Sequence, residues 1–334
     1  MTSNPLISII IPIYNVEKFL TQTLKSVQNQ TFTNFEAICI NDGSTDNSAD
    51  IVKSFADADK RFKLINQENQ GVAAARNYGI QTAEGKYIMF LDGDDYMHPQ
   101  CMELAYKIIE ETKNDVCMFD YQEVIVDEQV SYDKQSDELN YEYIENPGLY
   151  LLKDLTIIKM VLIWNKIFKR ELIKNFRFEN IHPSEDTVFM FDVLLQVDRL
   201  PYINNKLIYY VQNPQSVTHA KSKEFYEYNE KLRDKFFIEI VRKYKKNNHD
   251  GALIGELIRI INPILKDLFK GAITKPIKKG KTFDDIKEEA RLYNAYIDEG
   301  VLDINSLKSK HRVVLKLLNS GHFKLACLLL GRIF

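Results

Sequence analysis

The chain has 334 residues, 45% hydrophobic and 27% charged, with 13 Gly and 9 Pro, fractions that exclude disordered, collagen-like and disulfide-scaffold classes. At ~100–200 residues per domain that length makes two units. The net charge of −3 argues against a general nucleic-acid binder but is unevenly spread: residues 1–220 carry 20 Lys+Arg against 32 Asp+Glu, and residues 221–334 carry 24 against 15.

Along the first 125 residues two periodicities alternate. Residues 6–13 form an apolar run that predicts a strand buried on both faces. Asn15 is placed to cap a helix on which Val16, Leu20, Leu24 and Val27 recur at helical spacing. A second strand, 35–40, halts at Asn41-Asp-Gly-Ser44, and Ser44 or Thr45 starts a helix with Ala49, Ile51, Val52 and Phe55. A third strand, 62–65, precedes a small-residue helix, 71–83. The fourth, 87–91, runs into Asp92-Gly-Asp-Asp95, and a helix near 100–112 leads to a strand at 116–121. Such alternation predicts an α/β fold with a doubly wound, mostly parallel sheet. In sheets of this kind ligands bind at the carboxyl ends of the strands. Tyr14-Asn15, Asn41-Asp42 and residues 92–95 all fall there, which points to one site. Residues 126–150 read as an irregular, Tyr-rich excursion and 151–219 as mixed helices and short strands. From 225 onward the pattern is helical, broken at 275–281.

Cys39, Cys101, Cys117 and Cys327 show no metal-ligand spacing and read as reduced, structural thiols of a cytosolic protein. The first residues, Met-Thr-Ser-Asn-Pro, lack the features of a signal peptide. No run reaches the ~18–20 apolar residues that would span a bilayer. The expected location is therefore the cytoplasm.

Asp92, Asp94 and Asp95 place three carboxylates within four residues. A like-charged pair ~4 Å apart costs about 1 kcal/mol in water and about 4 at an effective dielectric near 20, a penalty a divalent cation removes. Mg2+ and Mn2+ take carboxylate and water oxygens and bridge to phosphates. The alternative is a solvated acidic turn. Asp42 can accept a hydrogen bond from a base or ribose, or cap the next helix. Neither GxGxxG nor GxxxxGK[ST] is present, so phosphates need a metal and a cation, for which Arg76 is best placed.

Ser8-Ile-Ile-Ile-Pro-Ile-Tyr-Asn15, Asn41-Asp-Gly-Ser-Thr-Asp46, Asn69-Gln-Gly-Val-Ala-Ala-Ala-Arg-Asn77 and Leu91-Asp-Gly-Asp-Asp95 resemble, in order and spacing, family-2 glycosyltransferases of the GT-A fold. Trp164-Asn-Lys-Ile-Phe-Lys169 and Ser184-Glu-Asp-Thr-Val-Phe189 resemble bacterial cell-surface polysaccharide members. The likeness covers about residues 6–220 and implies a catalytic domain over 1–220, with an acceptor part at about 126–220, followed by a basic helical region over 221–334.

The resemblance implies that Pro12, Tyr14 and Asp42 hold the nucleotide base, with Glu17 another donor-side position. Asn69 and Arg76 would lie near base and phosphates and Asp92 near the ribose. Asp94 would bind Mn2+ or Mg2+, with Asp92, Asp95 and His219 as further metal candidates. Glu185-Asp186 resembles the catalytic-base pair: Asp186 would deprotonate the acceptor hydroxyl in an inverting transfer and Glu185 would support it. As bare sequence the pair also reads as the acidic first turn of a helix, and His219 as a surface histidine. The implied reaction moves a sugar from a UDP-sugar to a saccharide or lipid-linked saccharide. The Gln-x-x-Arg-Trp element of processive relatives is absent, which favours single addition.

Residues 305–334 carry six Lys/Arg and no acid between apolar clusters. Such helices can lie on an anionic membrane face, pack on the catalytic domain, or join subunits. Two other classes compete. A sugar-nucleotide pyrophosphorylase would want a Gly-rich basic loop after the first strand, where this chain has Tyr14-Asn-Val-Glu-Lys18. A non-catalytic saccharide-binding or membrane scaffold with a degenerate domain would have no need of both acidic pairs.

Overall fold

The computed structural model describes residues 4–126, 132, 140–148, 150, 158–180 and 185–212, and of the remainder residues 255, 259, 291, 293, 294, 297, 298, 302, 307 and 309–319. The chain divides into two compact units, Met1–Ala220 and Lys221–Phe334.

In the first unit, four strand–helix repeats come as expected: β1 (Ile7–Ile13), α1 (Glu17–Gln28), β2 (Phe35–Asp42), α2 (Ser48–Ala58), β3 (Phe62–Gln67), α3 (Val72–Thr82), β4 (Tyr87–Phe90) and, after the two-residue β5 (Tyr96–Met97), α4 (Cys101–Thr112). Every residue of β1, β2 and β4 is buried, as a sheet covered on both faces requires. The helices turn Leu20, Leu24 and Val27, or Ile108 and Ile109, inward. At Gly79 a Cβ would collide with the Ile10 side chain, so α3 lies hard against β1 only because position 79 has none.

Two helix starts differ from expectation. Asn15 does not cap α1; Val16 does, while Asn15 takes a left-handed φ of 51° and its Oδ1 accepts from the Thr45 N–H at 2.8 Å. α2 begins at Ser48 rather than at Ser44 or Thr45, because Ser44 and Thr45 are spent on that junction: the Asn15 N–H donates to Ser44 Oγ at 3.1 Å.

β6 (Val116–Ile125), β7 (Tyr141–Glu145), α5 (Ile158–Val161), β8 (Lys166–Lys169), α6 (Arg170–Ile173), α7 (Glu185–Leu194) and β9 (Arg199–Gln212) complete the unit. β7 falls in the stretch expected to be irregular. The sheet order is β3-β2-β1-β4-β8-β6-β9-β5, with β7 also on β9. β1–β4 pair parallel, whereas β8 enters antiparallel between β4 and β6. The order 3-2-1-4 puts a topological switch point between β1 and β4, where the loop at Tyr14 meets the loop at Asp92.

Cys39, Cys101 and Cys117 are free and buried. In the second unit the longest described element is α8 (Ser309–Asn319), in which Val314 and Leu315 are buried and Val313 is exposed. No helix of the described residues is long and apolar enough to cross a membrane.

Candidate active site

Arg76 sits on α3 with 3% of its surface exposed. Its Nη1 donates to Asp186 Oδ1 at 2.6 Å and to Glu185 Oε1 at 3.3 Å, and its Nη2 to Asp92 Oδ1 at 2.9 Å. The Phe178 ring lies over the guanidinium, 5.5 Å from Cζ to centroid. Four separate stretches of chain thus converge: α3, the loop after β4, the segment after α6, and the first turn of α7. Burial pulls Arg76 toward lower pKa, but Asp186, Asp92 and Glu185 more than offset it and hold the guanidinium above its ordinary value. Arg76, expected beside a diphosphate, is committed here to three carboxylates.

Asp186 keeps 25% of its side chain exposed, yet burial raises its pKa to about 7 against the opposing pull of Arg76, with Glu185 and Asp92 adding to the rise. Glu185 and Asp186 open α7, where the helix dipole favours them, and both stand on Arg76. Within electrostatic reach of Asp186, the wholly buried Lys166 donates from Nζ to Lys159 O at 2.9 Å, Leu162 O at 2.5 Å and Asn165 Oδ1 at 2.7 Å. Burial drives this amine well below its ordinary pKa, opposed by Asp186. Three acceptors nonetheless match the three N–H bonds of an ammonium.

The three aspartates after β4 have three different environments. Asp92 pairs with Arg76. Asp95 is fully buried; its Oδ1 accepts from the Val211 N–H at 2.8 Å and its Oδ2 has no partner among the described residues. Burial, then Asp94 and Asp92, carries it well above the carboxylate range. Asp95, a metal candidate by sequence, pins this loop to β9. Among the described residues Asp94 has no side-chain partner, and burial followed by the charge of Asp92 raises it to about 6. A partly buried carboxylate without a counter-charge, two residues from a second, is a donor set suited to a hard divalent cation. Among the described residues no three His, Cys, Asp or Glu side chains gather closely enough to hold a metal ion. A cation on Asp94 and Asp92 would therefore take its other ligands from substrate and water. His219 lies outside the described residues.

The donor-side residues line the same edge. Asp42 is buried: Oδ1 accepts from Gln67 Nε2 at 2.7 Å and the Gln70 N–H at 2.9 Å, and Oδ2 from the Gly71 N–H at 2.8 Å. It therefore holds the 67–71 loop that leads into α3, rather than capping α2 next in the chain. Gly43 has φ +70°, and a Cβ there would stand 2.9 Å from the Asn69 backbone nitrogen. Asn69 and Tyr14 are exposed, and Pro12 is buried in β1. Glu17 is tied down, its Oε2 accepting from Asn47 N and Nδ2 at 3.0 and 2.7 Å. Sequence reasoning assigned nothing to Asn77, whose side chain brackets the Phe178 backbone with two 2.8 Å bonds. Its place beside Arg76 in Ala-Arg-Asn77 was the available signal.

A model of the family described as Glycosyl transferase family 2 matches residues 8–191. Glycosyltransferase GlyA of Streptococcus pneumoniae is 33% identical over 209 residues, 61% of this chain but 30% of GlyA, so the chain spans under a third of that relative's length. Glycosyltransferase GlyG of the same organism is 31% identical over 228 residues, 64% of this chain and 72% of GlyG. S. aureus TarS 1–349 in complex with UDP-GlcNAc has a similar fold, with TM-score 0.64 at 20% identity over 98% of this chain and 93% of that one.

Proposed function

The chain belongs to glycosyl transferase family 2, and on that footing we propose that it moves a hexosyl or N-acetylhexosaminyl group from a UDP-sugar to a hydroxyl of a free or lipid-linked saccharide, with inversion and with Mn2+ or Mg2+, in cell-surface polysaccharide assembly. The carrying observation is the charge pattern around Arg76. Asp92, Glu185 and Asp186 are all bonded to one guanidinium, and Asp94, beside Asp92, adds a fourth carboxyl group to the loop. Such a site repels a diphosphate until a divalent cation joins it.

Asp94, with Asp92, would hold that cation, which supplies neutralisation of the leaving diphosphate. Asp186 accepts the proton of the acceptor hydroxyl as that oxygen forms its bond to the anomeric carbon; the bond from that carbon to the diphosphate oxygen breaks and UDP leaves. A base with pKa about 7 is matched to neutral pH. Arg76 holds Asp186 and Asp92 in a fixed relation. Glu185, on the same Nη1, divides the guanidinium's attraction and so keeps Asp186 basic. Tyr14, exposed at the switch point, and Asn69, exposed after β3 beside Gly43, would receive the base, and Asp42 keeps the 67–71 loop in position for it. A lipid-linked acceptor would bring residues 305–334 to the inner membrane face or to a second subunit, although Val314 and Leu315 are already covered. A non-catalytic scaffold has no use for a carboxyl group held near neutrality.

The test is calorimetric UDP binding in Mn2+ and in EDTA, then UDP release from a panel of UDP-sugars. Mn2+ is expected to tighten UDP at least about tenfold, roughly 1.4 kcal/mol, in the wild type and not in Asp94→Ala. Equal affinity in EDTA overturns the metal role, and no UDP binding overturns the donor.

A further inference from the structure

β8 enters the sheet at the edge where β4 leaves it, Ile167 opposite Met89, so Trp164, just before β8, lies at the catalytic edge. β6 leaves at that edge too and runs on beside β9, with Tyr121 opposite Ile208 and Glu123 opposite Tyr210. Three rings meet there. Trp164 stacks on Tyr210 with centroids 5.6 Å apart and planes at 10°. Tyr121 stands edge-on to both, at 4.9 Å from Trp164 and 6.4 Å from Tyr210. Trp164, 4% exposed, forms the floor, and the two tyrosines are partly exposed. At the rim Asp120 accepts from Lys159 Nζ at 2.8 Å and the Tyr202 hydroxyl at 3.0 Å. Lys159 Nζ is 5.9 Å from the Tyr121 centroid on a side chain 43% exposed. Lys159 belongs to α5, which packs against α7, the helix of Glu185 and Asp186.

We infer that this shelf seats a pyranose ring of the saccharide acceptor, its C–H face against Tyr121 and Tyr210 and its hydroxyls on Asp120 and Lys159. The inference rests on the transferase reading above and adds where the acceptor lies. A sugar ring offers an apolar face of C–H bonds bordered by hydroxyls, and what suits it is an aromatic surface with donor and acceptor groups at the rim. The Asp120–Lys159 pair cancels its own charge, so it serves hydroxyls without demanding a charged ligand. Lys166 fixes the shelf to the catalytic edge, because two of its bonds tie Lys159 O and Leu162 O, both ahead of Trp164 in the chain, to β8 just after it.

Trp164 is the sole tryptophan of the chain, so its emission reports on the shelf alone. The full chain is titrated with cellobiose, chitobiose and lactose while UDP affinity is measured on the same preparation. At least one saccharide is expected to change the emission saturably. Tyr121→Ala and Tyr210→Ala should each weaken that response about tenfold and leave UDP affinity unchanged, while Asp94→Ala should leave the saccharide response intact. Lys159→Met, a substitution at a half-exposed site, should weaken the response severalfold and serves if a tyrosine variant does not fold. No saturable response to any of the three, or an undiminished one in these variants, overturns the shelf. UDP binding without a saccharide response sinks the shelf alone; a saccharide response without UDP binding leaves the shelf standing and sinks the donor reading.

Discussion

At Asp186 burial and Arg76 pull in opposite directions. Burial wins, so the carboxyl changes charge near pH 7. Only the carboxylate can take a proton, so kcat/KM is expected to rise with slope one to a plateau above that pH. Asp186→Asn should keep UDP binding and lose about 10²–10⁴ in turnover. A profile flat through neutrality would remove Asp186 as the base. Arg76 has a separate, structural weight. Arg76→Met strands three partly or wholly buried carboxylates and should cost about 3–5 kcal/mol near pH 7.5, read by urea denaturation. The loss should shrink near pH 5, where Asp186 is protonated and one charge disappears. Equal loss at both values would mean that Arg76 acts through packing on Phe178 instead.

Between the residues and the sheet stands one bracket. Asn77 on α3 holds the Phe178 backbone at both its N–H and its C=O. Phe178 in turn stacks on Phe189 of α7 with centroids 3.9 Å apart and planes at 7°. α3 and α7, which carry Arg76 and the acid pair, are therefore registered through the segment that holds Phe178. Asn77→Ala removes both bonds and should destabilise by about 1–3 kcal/mol, lowering kcat while leaving UDP affinity alone; a variant with loosened UDP and intact kcat would contradict this. At the β2–α2 junction, Gly43→Ala meets both a left-handed φ and the Asn69 backbone. A cost of about 1–3 kcal/mol is expected, with UDP binding weakened because the 67–71 loop must shift.

Over the whole catalytic unit the raised carboxyls make stability depend on pH. Asp94 and Asp186 bind protons more tightly folded than unfolded, with folded values of about 6 and about 7 against an ordinary 3.8. Their contribution is full below the unfolded value and is lost as pH rises through the folded ones. In metal-free buffer Tm should therefore fall between about pH 5 and 8. Mn2+ should raise Tm by several degrees near pH 8 and by little near pH 5, where Asp94 is protonated. Asp94→Asn should abolish the metal shift while raising the metal-free Tm at pH 8. An Mn2+ shift independent of pH would place the ion elsewhere.

The alternation of residues 6–121 was enough to read β1–β4 and α1–α4, though not the two-residue β5, and to put Tyr14, Asp42 and Asp92 at one sheet edge, because apolar periodicity records along the chain which face is buried. Glu185-Asp186 and Trp164-Asn-Lys166 were visible as motifs, though not as neighbours. Which side chains meet was settled by folding. Arg76 reaches across 16, 109 and 110 residues to Asp92, Glu185 and Asp186, and no local pattern encodes separations of that length. The same is true of Asp95, which looks like its neighbours in sequence but is turned inward by the passage of β9. It is true as well of Asp42, which holds the loop between β3 and α3, and of β7, whose Tyr-rich residues pair only because β9 lies beside them. Periodicity reports burial one element at a time; charge pairing, pKa and the aromatic shelf depend on which elements the loops bring together.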